Sequence, residues 1–134
     1  MRQEKNYSVG LKSFLGGVGL VGINLLVETW VLRGGMTVAW NQGGVLNIFP
    51  SKYWLIITAI IVGVAIIAWF KTTNIWVRYS LMVILAGGVG NLLNRVVFGS
   101  VMDYIYYPRL NVYGNLNDIY LGVGVSMIIW GAYV

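Results

Sequence analysis

The sequence contains no cysteine and no histidine, and it has only four acidic residues among 134 positions. Without cysteine there is no disulfide, no thiolate metal ligand and no cysteine nucleophile. Without histidine there is no imidazole acid–base catalyst and no histidine-ligated zinc. Charged residues make up 10% of the chain, whereas soluble domains carry about 25%. This shortage of charge excludes an ordinary water-soluble domain.

Apolar residues are abundant and account for 58% of the chain. They form four continuous runs, at 14–32, 53–70, 79–97 and 116–134. Each run is about long enough, as a helix, to cross a hydrocarbon core of about 30 Å. The runs do not alternate as the strands of a membrane barrel do. We therefore predict an all-α membrane protein of one domain, residues 1–134, with four transmembrane helices, short outer loops and at most a reduced β element.

Nine basic residues against four acidic residues give the chain a formal charge of +5. They lie between the apolar runs, which indicates helix ends at a membrane surface and no nucleic-acid partner. The count on the side of the N-terminus is slightly higher than on the other side, so we expect both termini in the cytoplasm. The first run is followed by no small-x-small cleavage pattern, so we expect a retained helix rather than a signal peptide.

Small residues recur inside the first predicted helix at every third position, as Gly16, Gly19 and Gly22. In lipid, small residues allow helix backbones to approach closely. Small residues also lie four apart as Ala86 with Gly90 and as Gly122 with Ser126, and together these patterns predict a compact four-helix bundle.

The chain has two aspartates, Asp103 just beyond the third run and Asp118 at the start of the fourth. Antiparallel helices bring these two positions to the same membrane face. Nearby carboxylates repel each other and tend to share one proton. One can then activate water while the other polarises a carbonyl, as in aspartic proteases. The alternative is two separate interfacial residues, each capped or paired with Arg95 or Arg109.

Further polar residues are predicted at the same face. They are Asn41, Asn91, Asn94, Asn115, Asn117 and Arg95. Amides offer donors and acceptors without charge, which suits a site that holds an extended peptide, and Arg95 has the geometry to hold a carboxylate or a carbonyl. Amides also suit turns and helix caps, and an arginine at a helix end often snorkels to the lipid headgroups. Both interpretations stay open at this point.

Several segments resemble one known family. Residues 87–95 read GGVGNLLNR, 99–105 read GSVMDYI and 115–118 read NLND. These are similar to the GG-x-x-GN-x-x-DR…G-x-VVDFI and FN-x-AD motifs of signal peptidase II. A weaker match is WNQGGVL at 40–46, similar to the family's RNTGAAF. With the four-helix layout, the resemblance spans nearly the whole chain.

The resemblance implies an aspartyl protease of the bacterial cytoplasmic membrane. Such an enzyme removes signal peptides from diacylglyceryl-modified prolipoproteins, and no metal or organic cofactor is implied. Asp103 and Asp118 match the two catalytic aspartates. The predicted substrate-binding residues are Asn41, Asn91, Asn94, Arg95 and Asn115. The expected partners are the lipid-modified prolipoprotein and membrane lipid, and we expect a monomer.

The sequence departs from the family at several places, among them Asn117 in place of the small residue before the last aspartate and Gly114 in place of the phenylalanine before Asn115. Asn94 stands where the family's DR motif has aspartate, and Asn24 and Glu28 stand at the family's D-x-x-x-K in the first helix. Because Arg95 is adjacent and an acid is usual at that position, we expect Asn94→Asp to be tolerated. The departures also support an alternative, a catalytically inactive relative that acts as a membrane binding or assembly partner. A small transporter or channel subunit is a third hypothesis.

Overall fold

The computed structural model describes residues 2–43 and 51–133. Helix α1 spans Arg2–Trp30 and continues into a π-helical turn, Val31–Gly35. Three further helices follow, α2 at Ser51–Lys71, α3 at Ile75–Phe98 and α4 at Leu116–Tyr133. Helices α2 and α3 extend beyond their apolar runs at both ends and α1 extends beyond its run at the N-terminal end, since polar residues at the ends of a membrane helix remain helical. Helix α4 begins at Leu116, where its run begins. Helix α1 accordingly begins at Arg2 and not at position 14.

Among the described residues, three helices are long and apolar enough to cross a membrane. The spans are Tyr7–Gly35, Tyr53–Lys71 and Ile75–Phe98. Helix α4, with Asn117 and Asp118 in its first turn, is not among them. A mostly helical protein with candidate membrane spans is thus confirmed, and the fourth span stays a prediction. Large apolar side chains such as Leu26 are exposed on the helices, which is typical of surfaces that face lipid.

Helix α3 lies at the centre of the bundle and packs against α1, α2 and α4. Its contact with α2 is a buried apolar cluster of Val62, Ala65, Leu81 and Leu85. Its contact with α4 depends on glycine. A Cβ atom on Gly87 would lie 2.5 Å from the carbonyl oxygen of Asn117, and one on Gly90 would overlap the Asn117 side chain. The α3–α4 backbones are therefore unusually close.

The glycines of α1 do not behave in this way. A Cβ atom on Gly16, Gly19 or Gly22 would meet no described atom within 4 Å. These three glycines therefore make no close helix contact at the Cβ position, whereas Gly90 of the Ala86–Gly90 pair does. Spacing alone could not reveal which side of a helix meets a neighbour.

Four short strands form two antiparallel pairs, which confirms a small β element. Strand β1 is Ala39–Asn41 and pairs with β2, Val101–Asp103. Strand β3 is Ile105–Tyr107 and pairs with β4, Val112–Gly114. The register of the first pair sets Ala39 opposite Asp103.

The strands sit on a second apolar cluster. Val31, Met102 and Tyr104 are buried there, where the end of α1 meets β2. The Tyr104 hydroxyl also accepts a hydrogen bond from the backbone N–H of Leu116 (3.2 Å), the first residue of α4. This contact ties the strand segment to the start of α4.

Candidate active site

Asp103 is the last residue of β2 and only 4% of its surface is exposed. Two amides donate to its carboxylate. Nδ2 of Asn115 lies 2.7 Å from Oδ1, and Nδ2 of Asn41 lies 3.0 Å from Oδ2. Asn41 reaches this position because β1 pairs with β2. Both oxygens of the buried carboxylate are therefore hydrogen-bonded, as burial requires.

Asp118 lies in the first turn of α4 and is exposed. Its Oδ2 accepts from the backbone N–H of Asn115 (3.0 Å), and Oδ1 of Asn115 accepts from the backbone N–H of Asp118 (3.0 Å). This reciprocal pair is a capping box at the helix N-terminus. Asn91 of α3 donates from Nδ2 to the other oxygen of Asp118, Oδ1 (3.3 Å). The cap and α3 together fix the carboxylate.

One residue, Asn115, joins the two aspartates. Its side-chain amide donates to Asp103 and its backbone N–H donates to Asp118. It is itself fully buried. The two carboxyl groups thus belong to one hydrogen-bonded cluster at the junction of β2, α3 and the start of α4.

The two aspartates sit in different surroundings. Burial raises the pKa of Asp103 above its ordinary value, and the nearby charge of Asp118 acts in the same direction. Hydrogen bonds from Asn41 and Asn115, and the charge of Arg95, oppose this rise. Asp103 is therefore the carboxyl group whose surroundings favour a bound proton.

Both carboxyl groups line one cleft of about 360 Å³ between α2, α3, α4 and the strands. Asn41, Asn91 and Arg95 also line this cleft. Its other walls come from residues that the sequence did not single out, including Trp54, Thr58, Ile61, Val112, Tyr113 and Leu121. These belong to α2, β4 and α4, and no sequence signal marks them because they resemble ordinary membrane-helix and strand residues.

Arg95 is the basic residue of the cleft. Its Nη1 donates to the backbone carbonyl of Asn91 one turn earlier (3.3 Å). Its positive charge acts on both Asp103 and Asp118. The structure therefore places Arg95 beside the carboxyl groups and facing the cleft.

Asn94 lies elsewhere than predicted. It is 2% exposed and is not among the residues that line the cleft. Its Nδ2 donates to Oε1 of Glu28 (2.9 Å), and its Oδ1 accepts from the backbone N–H of Met102 (3.1 Å). Since both ends of the amide have partners inside the protein, the structure does not support a substrate contact for Asn94. Asn115 is also behind the cleft wall, although it contacts both aspartates.

Three buried polar residues were not among the predicted site residues. Glu28, Asn24 and Asn117 form a hydrogen-bonded cluster with Asn94, in which Oε1 of Glu28 accepts from all three amides. The signal that marks them is departure from the family motifs, at the D-x-x-x-K pattern for Asn24 and Glu28 and before the last aspartate for Asn117.

A helical bundle with candidate membrane spans and a cleft that holds two carboxyl groups defines a membrane protein with a paired-carboxylate site. The pattern of the family described as signal peptidase (SPase) II matches residues 20–134. The chain therefore belongs to the signal peptidase II family.

Individual relatives agree with this assignment. The lipoprotein signal peptidase of Streptococcus agalactiae is 36% identical over 99 residues, which cover 70% of this chain and 64% of the relative. The chain thus matches somewhat less than two thirds of that relative's length. The lipoprotein signal peptidase of Streptococcus thermophilus is 27% identical over 131 residues, covering 84% of this chain and 86% of the relative.

Two solved structures share the fold, and both are described as bacterial membrane enzymes studied by the in meso method. One superposes with a TM-score of 0.80 at 23% identity and covers 91% of this chain and 87% of that chain. The other has a TM-score of 0.76 at 24% identity and covers 90% of this chain and 92% of that chain.

Proposed function

We propose that the protein is an aspartyl endopeptidase of the bacterial cytoplasmic membrane. In this proposal it removes signal peptides from diacylglyceryl-modified prolipoproteins at the outer membrane–water interface. The observation that carries the proposal is that Asp103 and Asp118 line one cleft and are both hydrogen-bonded to Asn115. Membership of the signal peptidase II family and the name of the streptococcal relatives, lipoprotein signal peptidase, support the substrate class.

The different surroundings of Asp103 and Asp118 suggest a separate role for each carboxyl group. The Asp103 carboxyl, whose pKa is raised by burial, donates its proton to the scissile carbonyl oxygen. Asp118 accepts a proton from water, and the resulting hydroxide attacks the carbonyl carbon. In the second step Asp118 returns its proton to the leaving nitrogen as the C–N bond breaks. One hydroxyl proton of the tetrahedral intermediate goes back to Asp103, so both groups end as they began.

The remaining features concern the setting of the reaction. We propose a multi-pass protein with four spans, both termini in the cytoplasm and the cleft on the opposite side. Asn41, Asn91 and Arg95 are the proposed contacts of the extended substrate, since they line the cleft with the two aspartates. We also propose that the protein works as a monomer surrounded by lipid. Residues 40–49 are proposed to lie over the site, and 44–49 of these fall outside the described residues.

The experiment is cleavage of a diacylglyceryl-modified prolipoprotein by purified protein in detergent. Asp103→Asn and Asp118→Asn are each expected to abolish cleavage and to leave the fold largely intact. A matched control is Arg109→Ala, which removes an exposed charge from the turn between β3 and β4. This variant should cleave normally. Near-normal turnover by either aspartate variant would show that the paired-carboxylate mechanism is wrong.

The second candidate, an inactive relative that binds a membrane partner, is favoured by one observation. Glu28 and Asn94, both at positions that depart from the family motifs, contact each other. This candidate predicts that the unchanged protein does not cleave the lipid-modified prolipoprotein under conditions in which an active streptococcal relative does.

A further inference from the structure

Glu28 is a buried carboxylate that the proposed chemistry does not use. It lies near the end of α1, is 5% exposed, and is not among the residues that line the cleft. Its Oε1 accepts from Nδ2 of Asn24 (2.9 Å), Nδ2 of Asn94 (2.9 Å) and Nδ2 of Asn117 (3.4 Å). A carboxylate inside a membrane helix is costly unless it is satisfied. Three donors on one oxygen supply that compensation.

In this cluster the Nδ2 groups of all three amides face the carboxylate of Glu28. The oxygens of Asn24 and Asn117 are buried and have no hydrogen-bond partner among the described residues. An unpaired buried acceptor costs free energy. Rotation of either amide by about half a turn would exchange the positions of its oxygen and its nitrogen. The amides nevertheless turn their N–H groups to Glu28, since its Oε1 is the acceptor that they share.

One connection runs from Glu28 to β2. Nδ2 of Asn94 donates both to Glu28 and to the carbonyl oxygen of Gly90 (3.2 Å), so Oδ1 of Asn94 faces the other way and accepts from the backbone N–H of Met102 (3.1 Å). Met102 is fully buried and directly precedes Asp103. The orientation of one amide thus holds the strand that carries Asp103.

A second connection runs from Glu28 to Asp118. Nδ2 of Asn117 donates both to Oε1 of Glu28 and to Oδ1 of Asn91 (3.3 Å). The oxygen of Asn91 also accepts from Nδ2 of Asn115 (3.3 Å), so Asn117 and Asn115 together turn Nδ2 of Asn91 to Asp118, where it donates to Oδ1 (3.3 Å). The same carboxylate on α1 is therefore linked to both aspartates, through different amides.

We propose that Glu28 is a positioning residue of the active site: its carboxylate oxygen orients the amides of Asn94 and Asn117, and these hold Asp103 and Asp118 in place. What matters in this proposal is an acceptor oxygen at the right distance rather than a negative charge. The effect on turnover rests on the proposed function, whereas the effect on Met102 does not.

Three substitutions of Glu28 distinguish the effect of side-chain length from the effect of negative charge. Glu28→Gln keeps an acceptor at the same distance and adds N–H donors to a cluster with two unpaired oxygens, so it should remain close to the unchanged protein. Glu28→Leu removes the acceptor, and Glu28→Asp shortens the side chain by one methylene. Both should lower kcat for the lipid-modified prolipoprotein by about 10- to 100-fold, the usual range for partners that orient site residues. KM should stay the same because Glu28 does not line the cleft.

If Glu28→Leu does not fold, the comparison of Glu28→Gln with Glu28→Asp still tests the proposal. Glu28→Asp more active than Glu28→Gln would mean that charge matters, and the proposal would be overturned. A rise in KM with unchanged kcat would overturn it as well. The control is Ser13→Ala, which removes another buried polar contact of α1, with Trp69, at the opposite end of the helix. It should not change kcat.

A measurement without substrate separates this proposal from the proposed function. Hydrogen exchange of the Met102 amide should be faster in Glu28→Leu and Glu28→Asp than in Glu28→Gln and the unchanged protein. The Val77 amide, which donates to Oδ1 of Asn74 at the other end of α3, is the matched control and should not change. Equal exchange at Met102 in all variants would overturn the positioning role even if every variant cleaved. Absence of cleavage by the unchanged protein, with the expected exchange pattern, would overturn only the proposed function.

Discussion

At the scale of single residues, the hydrogen bonds of Asp103 and its burial shift the pKa of this carboxyl group in opposite directions. Burial raises the pKa of this carboxyl, and the amides of Asn41 and Asn115 lower it by binding the ionised form. In the proposed mechanism Asp103 must hold a proton, so cleavage is lost as the pH rises through its pKa. The alkaline limb of the pH profile therefore reports on the surroundings of Asp103.

Asn41→Ala should move this limb to higher pH. The substitution removes a donor to Oδ2 of Asp103 (3.0 Å), which destabilises the ionised form and raises the pKa further. The measurement is kcat/KM against pH with the lipid-modified prolipoprotein. Ser126→Ala, whose hydroxyl donates to the Gly122 carbonyl within α4, should leave the limb in place. A limb that moves to lower pH in the Asn41 variant would contradict the assignment of the proton to Asp103.

Asn94→Asp should destabilise the protein, contrary to the expectation from the sequence. The new carboxylate would replace the Nδ2 that donates to Glu28 at 2.9 Å, so two carboxylates would meet in a buried place. A buried acceptor that loses its donor costs about 1–3 kcal/mol, and more when the group is charged. Combining the change with Glu28→Gln restores one donor facing one carboxylate, so the double variant should recover. Thermal unfolding in detergent at neutral pH measures both, and equal stability of all the proteins would contradict the argument.

The two opposite expectations for Asn94→Asp show which residue contacts could not be predicted from the sequence. Asp103 and Asp118 could be found because the chain has so few acids. Arg95 follows Asn94 in the sequence, which made it the obvious partner for a charge there. On a helix, however, consecutive side chains point in different directions, and Asn94 faces α1 while Arg95 faces the cleft.

At the scale of the elements, the α3–α4 contact holds the site together. Asn91 is on α3, Asp118 is on α4, and their hydrogen bond spans the interface. Backbones come close here because Gly87 and Gly90 have no side chains where they meet Asn117. The pairing of glycines with one asparagine could not be predicted from spacing alone, as the unpacked glycines of α1 show.

Gly90→Ala should therefore lower stability, since the added Cβ would overlap the amide of Asn117. Overpacking of this kind costs about 1–3 kcal/mol, and displacement of Asn117 should also slow cleavage. Gly122→Ala is the matched control, because a Cβ there meets no described atom within 4 Å and alanine favours a helix over glycine. Unfolding temperatures in detergent compare the two variants. A Gly90 variant as stable and as active as the Gly122 variant would show that α3 and α4 have room to separate.

At the scale of the whole molecule, the positions of the helices were predictable, whereas the positions and pairing of the strands were not. Long apolar runs mark a membrane helix whatever its neighbours are. Strands of three residues, such as Val101–Asp103, carry no periodic pattern, and their pairing with residues some sixty positions earlier depends on how the helices are arranged. The cleft likewise arises only when α2 and α4 both pack against α3.

The position of the cleft among the helices leads to a prediction about how the substrate arrives. Its walls include apolar residues of two helices, Ile61 of α2 and Leu121 of α4, so a lipid-anchored peptide can enter sideways from the membrane. The lipid chains then stay in hydrocarbon while the scissile bond reaches the carboxyl groups. Bulk on this wall should obstruct entry. Thr58→Trp, which fills the cleft, should raise KM, whereas Ile60→Trp on the exposed side of α2 should not.

The direct test compares one peptide with and without its diacylglyceryl group, at the same detergent content. Each buried methylene contributes about 0.8 kcal/mol to membrane binding, and about 1.4 kcal/mol is a factor of ten. Even two buried methylenes therefore suffice for a preference of about tenfold in kcat/KM, and the whole anchor should give more. The preference should shrink in Thr58→Trp and persist in Ile60→Trp, because only the first narrows the lateral path. Equal cleavage of both peptides would instead indicate a general membrane peptidase that takes its substrate from water.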